Sequence, residues 1–266
     1  LKAGLLDRAE DALRRLEGTP FEAQARMALL AIYERSRDWA QASDIAQRMQ
    51  ASSQGDFSTR QAHYLCEQAL PLAARGELQA AQALLERAVA TAPQAPRARI
   101  EMARLQQRMG RPDAALATLQ ALADSAPAAL ALAAPLLVET ALASGRAQQA
   151  GALLQQHYQD MPSLDLLEAI VSLQAATDGS PGAGREWYVR HLDKEPSLVA
   201  ATKWLAGETL GHEQFHPQIQ RALEQAAKPL TRYRCAACGF EARQHFWQCP
   251  GCQTWDSYPA RRVEEL

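Results

Sequence analysis

The chain has 266 residues, with 28 basic and 30 acidic side chains and a formal net charge of -2. Apolar residues make up 47% and charged residues 22%, the balance of a soluble globular protein and not of a disordered one. That balance lacks the basic excess of a general nucleic-acid binder, and no apolar run reaches the ~20 residues that span a bilayer. The longest candidate, residues 126–138, contains Pro127 and Pro135. Leu1 stands where a Met would open a complete chain, which leads to the expectation of a segment ahead of it.

Taken from the N-terminus, the first predicted element is a helix in GLLDRAEDALRRL, the second half of a helical pair within residues 1–21. A fuller pair follows in LLAIYERSRDWAQASDIAQRM, with Tyr33 late in the first helix, Asp38-Trp39 at the turn and Ala42 in the second. From there three kinds of residue keep one period. Gly76, Gly110 and Gly145 recur after 34 and 35 residues; Ala81, Ala115, Ala150 and Gly184 after 34, 35 and 34; Pro93, Pro127, Pro162 and Pro196 after 34, 35 and 34. Glycine admits the left-handed backbone of a tight turn after a helix. A small residue lets two helices approach, and an apolar stripe such as Leu85 and Ala88 fills the contact. Proline stops the second helix because it has no N–H to give. One such hairpin cannot bury its own apolar face, whereas stacked hairpins can.

This punctuation, at about 34 residues, resembles the tetratricopeptide repeat. It predicts an all-α solenoid over residues 1–228: the partial repeat, four good ones to about 162, a degenerate one to about 196 with a long loop at TDGSPGAGRE, and a last helical pair. A rubredoxin-like module built on four cysteines is expected at 229–259 and a C-terminal tail at 260–266.

In that module Cys235, Cys238, Cys249 and Cys252 are spaced C-x2-C, ten residues, C-x2-C. Two residues between cysteines form a knuckle in which both sulfurs reach one ion. Gly239, and Pro250-Gly251 within the second knuckle, are expected to let backbone N–H groups turn toward the thiolates. The set predicts one tetrathiolate-bound ion, iron or zinc, with a closed shell and a structural role. Two disulfides or a redox pair would suit an oxidising compartment, and a tight cluster in a long helical chain instead points to the reducing cytoplasm. Six aromatics lie between Tyr233 and Tyr258. With so little core available, the metal and those rings must hold the module, and Phe246, Trp247 and Trp255 are expected to dock on the last helices.

Other motifs are weaker. HEQFH matches H-E-x-x-H with His212, Glu213 and His216, yet Pro217 biases His216 away from helix. GSPGAGR departs from a phosphate-binding loop at Arg185 and Glu186. Cys66 reads as core. Arg97, Arg104 and Arg108 are spaced by seven and four on one predicted helix face, with Glu34 and Arg35 near the matching face of an earlier repeat. They are expected to form an exposed wall that grips an acidic segment of a partner.

Repeats followed by rubredoxin-like knuckles, carried by GLLDRAEDAL, LLAIYERSRDWAQASDIA and YRCAACGFEARQHFWQCPGCQTW, are similar to the lipopolysaccharide assembly protein B family. The link between the knuckles is far shorter than in true rubredoxins. The resemblance implies an N-terminal transmembrane anchor ahead of Leu1, repeats on the cytoplasmic side of the inner membrane and no enzymatic activity. It implies protein partners, namely the membrane protease FtsH and the deacetylase LpxC, whose degradation the family promotes. The alternatives are an electron carrier fused to a repeat scaffold, an H-E-x-x-H metalloprotease, and a nucleic-acid ribbon. The last is disfavoured by the five basic and four acidic side chains of residues 229–266.

Overall fold

A computed structural model describes residues 2–180, 182–208 and 215–266. The chain forms two compact units, Leu1–Gly110 and Arg111–Leu266. The first holds six helices: α1 (Lys2–Arg14), α2 (Glu22–Ser36), α3 (Trp39–Ala51), α4 (Ser58–Ala74), α5 (Leu78–Thr91) and α6 (Pro96–Arg108). The second holds α7 (Pro112–Ser125), α8 (Leu130–Ala143), α9 (Ala147–Asp160), α10 (Leu164–Asp178), α11 (Glu186–Leu192), α12 (Leu198–Leu205) and α13 (His216–Ala227), then a small ribbon with strands β1 (Tyr233–Arg234) and β2 (Glu241–Ala242).

The helices form hairpins for the reasons legible in the sequence. Gly76, Gly110 and Gly145 all take positive φ, +85°, +70° and +67°, and each reverses the chain after a first helix. In the earlier repeat Arg37 takes that conformation at φ +59° without a glycine, and Asp38 then caps α3 by accepting from the Gln41 amide at 3.2 Å. Ala42, Ala81, Ala115 and Ala150 are fully buried in the second helices, where a larger side chain would hold the partner helix away. The helices α5, α7 and α9 each end two residues before a proline, Pro93, Pro127 and Pro162. In the first unit Leu65, Cys66, Ala69, Leu85, Ala88, Met102 and Leu105 join in one apolar core. Gly184 breaks the expected series. It sits in the loop before α11 at φ +77°, where a Cβ would run into Gln174, and not inside a helix.

No helix among the described residues is long and apolar enough to cross a membrane.

Candidate metal centre

The antiparallel pair β1–β2, with Tyr233 opposite Ala242 and Arg234 opposite Glu241, carries the first knuckle at its turn. A single bridge between Gln248 and Trp255 carries the second. The two knuckles repeat one hydrogen-bond pattern. The Cys235 amide donates to the Phe240 carbonyl and the Gly239 amide to the Cys235 carbonyl, both at 2.9 Å; the Cys249 amide donates to Thr254 and the Gln253 amide to Cys249, again at 2.9 Å. The residue after each second cysteine takes positive φ, Gly239 at +76° and Gln253 at +62°. The turn in the second knuckle is therefore made by Gln253 and not by Gly251. Gly251 has no positive φ, and a Cβ there would make only ordinary contact with the Phe240 ring at 3.4 Å and Cys238 Sγ at 3.6 Å.

This pattern brings all four sulfurs within 4.8 Å of one another. Cys235 and Cys252 Sγ are 3.8 Å apart, and Cys238 and Cys249 Sγ 3.6 Å. An ion bound tetrahedrally at ~2.3 Å from sulfur holds its ligands about 3.8 Å apart, so the donor set fits one such ion. Cys235 and Cys249 are buried, and Cys238 and Cys252 are exposed.

The electrostatics run the same way. Burial opposes ionisation of Cys235, but Ser257 Oγ at 3.2 Å and the amides of Cys238 and Ala237 outweigh it and lower its pKa to about 6. The side chain and amide of Thr254 lower Cys252. The Phe240 amide favours the Cys238 thiolate, yet desolvation and the other three sulfurs push that thiol up to about 12. Four sulfurs this close cannot all ionise without a cation among them. Burial pushes the lone Cys66 thiol up to about 12, as befits a core residue on α4.

Apart from Phe246, the ribbon is fastened to the repeats through residues that the sequence did not mark. Tyr233 and Tyr258 pack with Leu132 of α8 and with Phe246. His245 lies among three rings, edge-on to Tyr233, Trp247 and Tyr258 with centroids 5.7, 4.7 and 5.9 Å away. Trp255 is buried at the Gln248 bridge. The rings of Tyr233 and Tyr258 thus meet α8, with Phe246 taking part. Asp165, only 7% exposed in the first turn of α10, accepts from the Tyr233 hydroxyl at 2.9 Å. It also receives Arg262 Nε at 3.1 Å and Nη2 at 2.5 Å, while the same guanidinium lies 4.2 Å over the Tyr233 ring.

The final residues are not a loose tail. Val263–Glu265 form a short 3-10 turn. Glu265 accepts from the Leu164 amide at 2.8 Å, and Glu264 from the Leu198 and Val199 amides at 2.6 and 3.2 Å and from Ser197 Oγ at 2.7 Å. Two carboxylates thereby sit at the N-termini of α10 and α12, where orphan amides and the helix dipole favour negative charge.

The proposed arginine wall is only partly present. Arg97 is 4% exposed and its guanidinium is 2.6 Å from Glu67 and 3.4 Å from His63 Nδ1, so it cannot reach an outside carboxylate. One helix face does not mean one environment: Arg97 lies in the first turn of α6, within the buried core, while Arg104 and Arg108 are exposed. Arg104 pairs with Glu101 at 3.0 Å and Arg108 donates to the Ala73 carbonyl at 2.7 Å. Glu34 is half-buried beneath the Tyr64 hydroxyl, and Arg35 is exposed. Of the H-E-x-x-H motif, His212 and Glu213 lie outside the described residues, and His216 opens α13. Pro181 of the GSPGAGR loop is likewise outside them, and Arg185 there donates to the Gly207 carbonyl at 2.7 Å.

Comparison with known proteins bears on both parts. A rubredoxin metal binding domain of the LapB zinc-ribbon type matches residues 233–258, and a tetratricopeptide repeat matches residues 72–138. The lipopolysaccharide assembly protein B of Escherichia coli K12 is 26% identical over 273 aligned residues, covering 100% of this chain and 70% of that protein. Its namesake in Haemophilus influenzae is 23% identical, covering 96% of this chain and 65% of that protein. Among solved structures, a tetratricopeptide repeat protein from Parabacteroides merdae is 14% identical with a TM-score of 0.41, over 84% of this chain and 88% of that one. Helical hairpins leading into this one type of ribbon, with an alignment that runs along the whole chain, make it similar to the lipopolysaccharide assembly protein B of these bacteria.

Proposed function

We propose that the chain is a non-enzymatic adaptor of lipopolysaccharide assembly, working at the cytoplasmic face of the inner membrane to present the deacetylase LpxC to the protease FtsH. The observation that carries this reading is the likeness to lipopolysaccharide assembly protein B along the entire chain, ribbon included. The chemistry of the ribbon supports it. Four cysteines at tetrahedral spacing would hold one zinc or iron ion in a closed shell with no position left for a substrate. When bound, the ion neutralises the crowded thiolates and cross-links the two knuckles. Helical hairpins in turn offer long side-chain rows to a protein segment. Arg35, Arg104 and Arg108 are exposed candidates for an acidic stretch of the partner, since each planar fork can take a carboxylate by two bonds.

A capture experiment tests the reading. The full chain, loaded with metal, is used as bait for LpxC and FtsH at low and high salt, and LpxC lifetime is followed in cells with and without the chain. Retention of LpxC, with an FtsH-dependent shortening of its lifetime, is the expected result. Charge reversal at Arg104 and Arg108 is expected to weaken capture, as is high salt. Failure to retain either protein, together with an unchanged LpxC lifetime, overturns it.

A further inference from the structure

We propose that residues 262–265 are a clasp that makes metal binding in the ribbon and the ordering of the first turns of α10 and α12 a single cooperative event. The inference rests on the reading that the ribbon holds an ion. It starts from what the clasp touches. On one side it holds the chain entering the ribbon: the Val263 amide donates to the Arg232 carbonyl at 2.7 Å, the Glu264 amide to Leu230 at 3.2 Å, and Arg262 Nη1 to Thr231 at 2.6 Å. On the other side it supplies the acceptors for the leading amides of two helices, Leu164 in α10 and Leu198 and Val199 in α12. Arg262 joins the sides, because its guanidinium meets Asp165 of α10 and lies over Tyr233 of β1.

Tyr233 stands two residues before the first metal-ligating cysteine and packs with Cys235 and Cys249 in one small core. A ribbon that loses its ion loses the knuckles that fix Tyr233 and the exit of the chain at Ser257, whose carbonyl accepts from the Ala236 amide at 2.7 Å. Arg262 then lacks the ring it covers, and the turn that aims Glu264 and Glu265 loses its footing on residues 230–232. The Ser163 and Ser197 hydroxyls still cap the Leu166 and Ala200 amides, so α10 and α12 persist while their foremost amides open. Apolar space adjoins both ends of the device. A cavity of about 350 Å³ is lined by Val199, Thr202, Ala206 and Ala227, and another of about 310 Å³ by Pro127, Met161, Pro162 and Pro259. The state of the ion is thereby conveyed to repeat surface beyond the ribbon.

The test is hydrogen exchange on the full chain, loaded with zinc or stripped by chelator under reducing conditions, after the metal content of each sample is measured. The expected result is exchange about tenfold faster at Leu164, Leu198 and Val199 on stripping, alongside the ribbon and with α4 and α5 unchanged. The double variant Glu264→Ala and Glu265→Ala is expected to keep one ion per chain, expose the same amides, and yield its ion to a chelating dye several-fold faster. A chain that takes up no metal overturns both this inference and the reading beneath it. A loaded chain whose three amides stay protected on stripping overturns the clasp alone, as does a variant that releases metal at the original rate.

Discussion

In the first unit, Leu65, Leu85, Ala88, Met102 and Leu105 lie in one apolar core shared by α4, α5 and α6. In the ribbon, two tyrosines, Trp255 and two cysteines are nearly all that is buried, and four sulfurs occupy the middle. The first region spreads its stability over many interchangeable contacts, each apolar side chain contributing about 1.5 to 3 kcal/mol when buried. The second concentrates it in a few bonds that stand or fall together. The repeats should therefore degrade by degrees under mutation, and the ribbon should fail at once.

The sharpest way to break that contrast is Cys249→Ser. The expected outcome is loss of the ion and of all protease resistance in residues 233–258, with α2–α5 left as they were; elemental analysis and limited proteolysis check it. Full metal content with an intact ribbon would remove the contrast. Next in size is Leu85→Ala, which leaves a void beneath α5 and should cost about 2 to 5 kcal/mol in urea unfolding without abolishing the fold. Asp165→Ala strands Arg262 and should cost about 3 kcal/mol, read as a lower midpoint for the second unit and as faster cleavage within residues 224–234 than in the unchanged protein.

The smallest expected effect is one of pH. Burial holds the pKa of His191 below its usual 6.5, against Glu195 and Glu264, which raise it, and together with Lys194, which lowers it. The ring nitrogen Nδ1 is 2.7 Å from the Tyr158 hydroxyl. Because the folded group binds a proton less readily than the unfolded one, the stability it confers is complete above pH 6.5 and lost as pH falls through its lower folded value. Unfolding at about pH 5.5 and 7.5 should show the difference, and His191→Gln should flatten it.

The repeat architecture was legible because its signals are local. Gly110 and Pro127 act on neighbouring backbone, and their period survives drift in everything between. The knuckles were legible for the same reason, since all four cysteines fall within 18 residues. The fastening of the ribbon was not. Asp165 and Arg262 are 97 positions apart, and Ser197 and Glu264 are 67 apart. In the sequence Arg262, Glu264 and Glu265 look like an ordinary solvated end. Arg97 misled for the converse reason: helical spacing shows which residues share a face, but whether that face is wet depends on Glu67 and His63 in the preceding repeat.

The uneven exposure of the four sulfurs gives the centre a front and a back. Cys238 and Cys252 face solvent, whereas Cys235 and Cys249 face the protein. A competing chelator can approach only from the front, so exchange must begin by displacing one of those two ligands while the rear pair keeps its hold. An alkylating reagent applied to the metal-loaded protein meets the same asymmetry. Labelling should run through the front pair first and the rear pair more slowly, and reach Cys66 only when the first unit unfolds. The order in which the five thiols are consumed would thus be a kinetic record of which parts of the molecule open, and when.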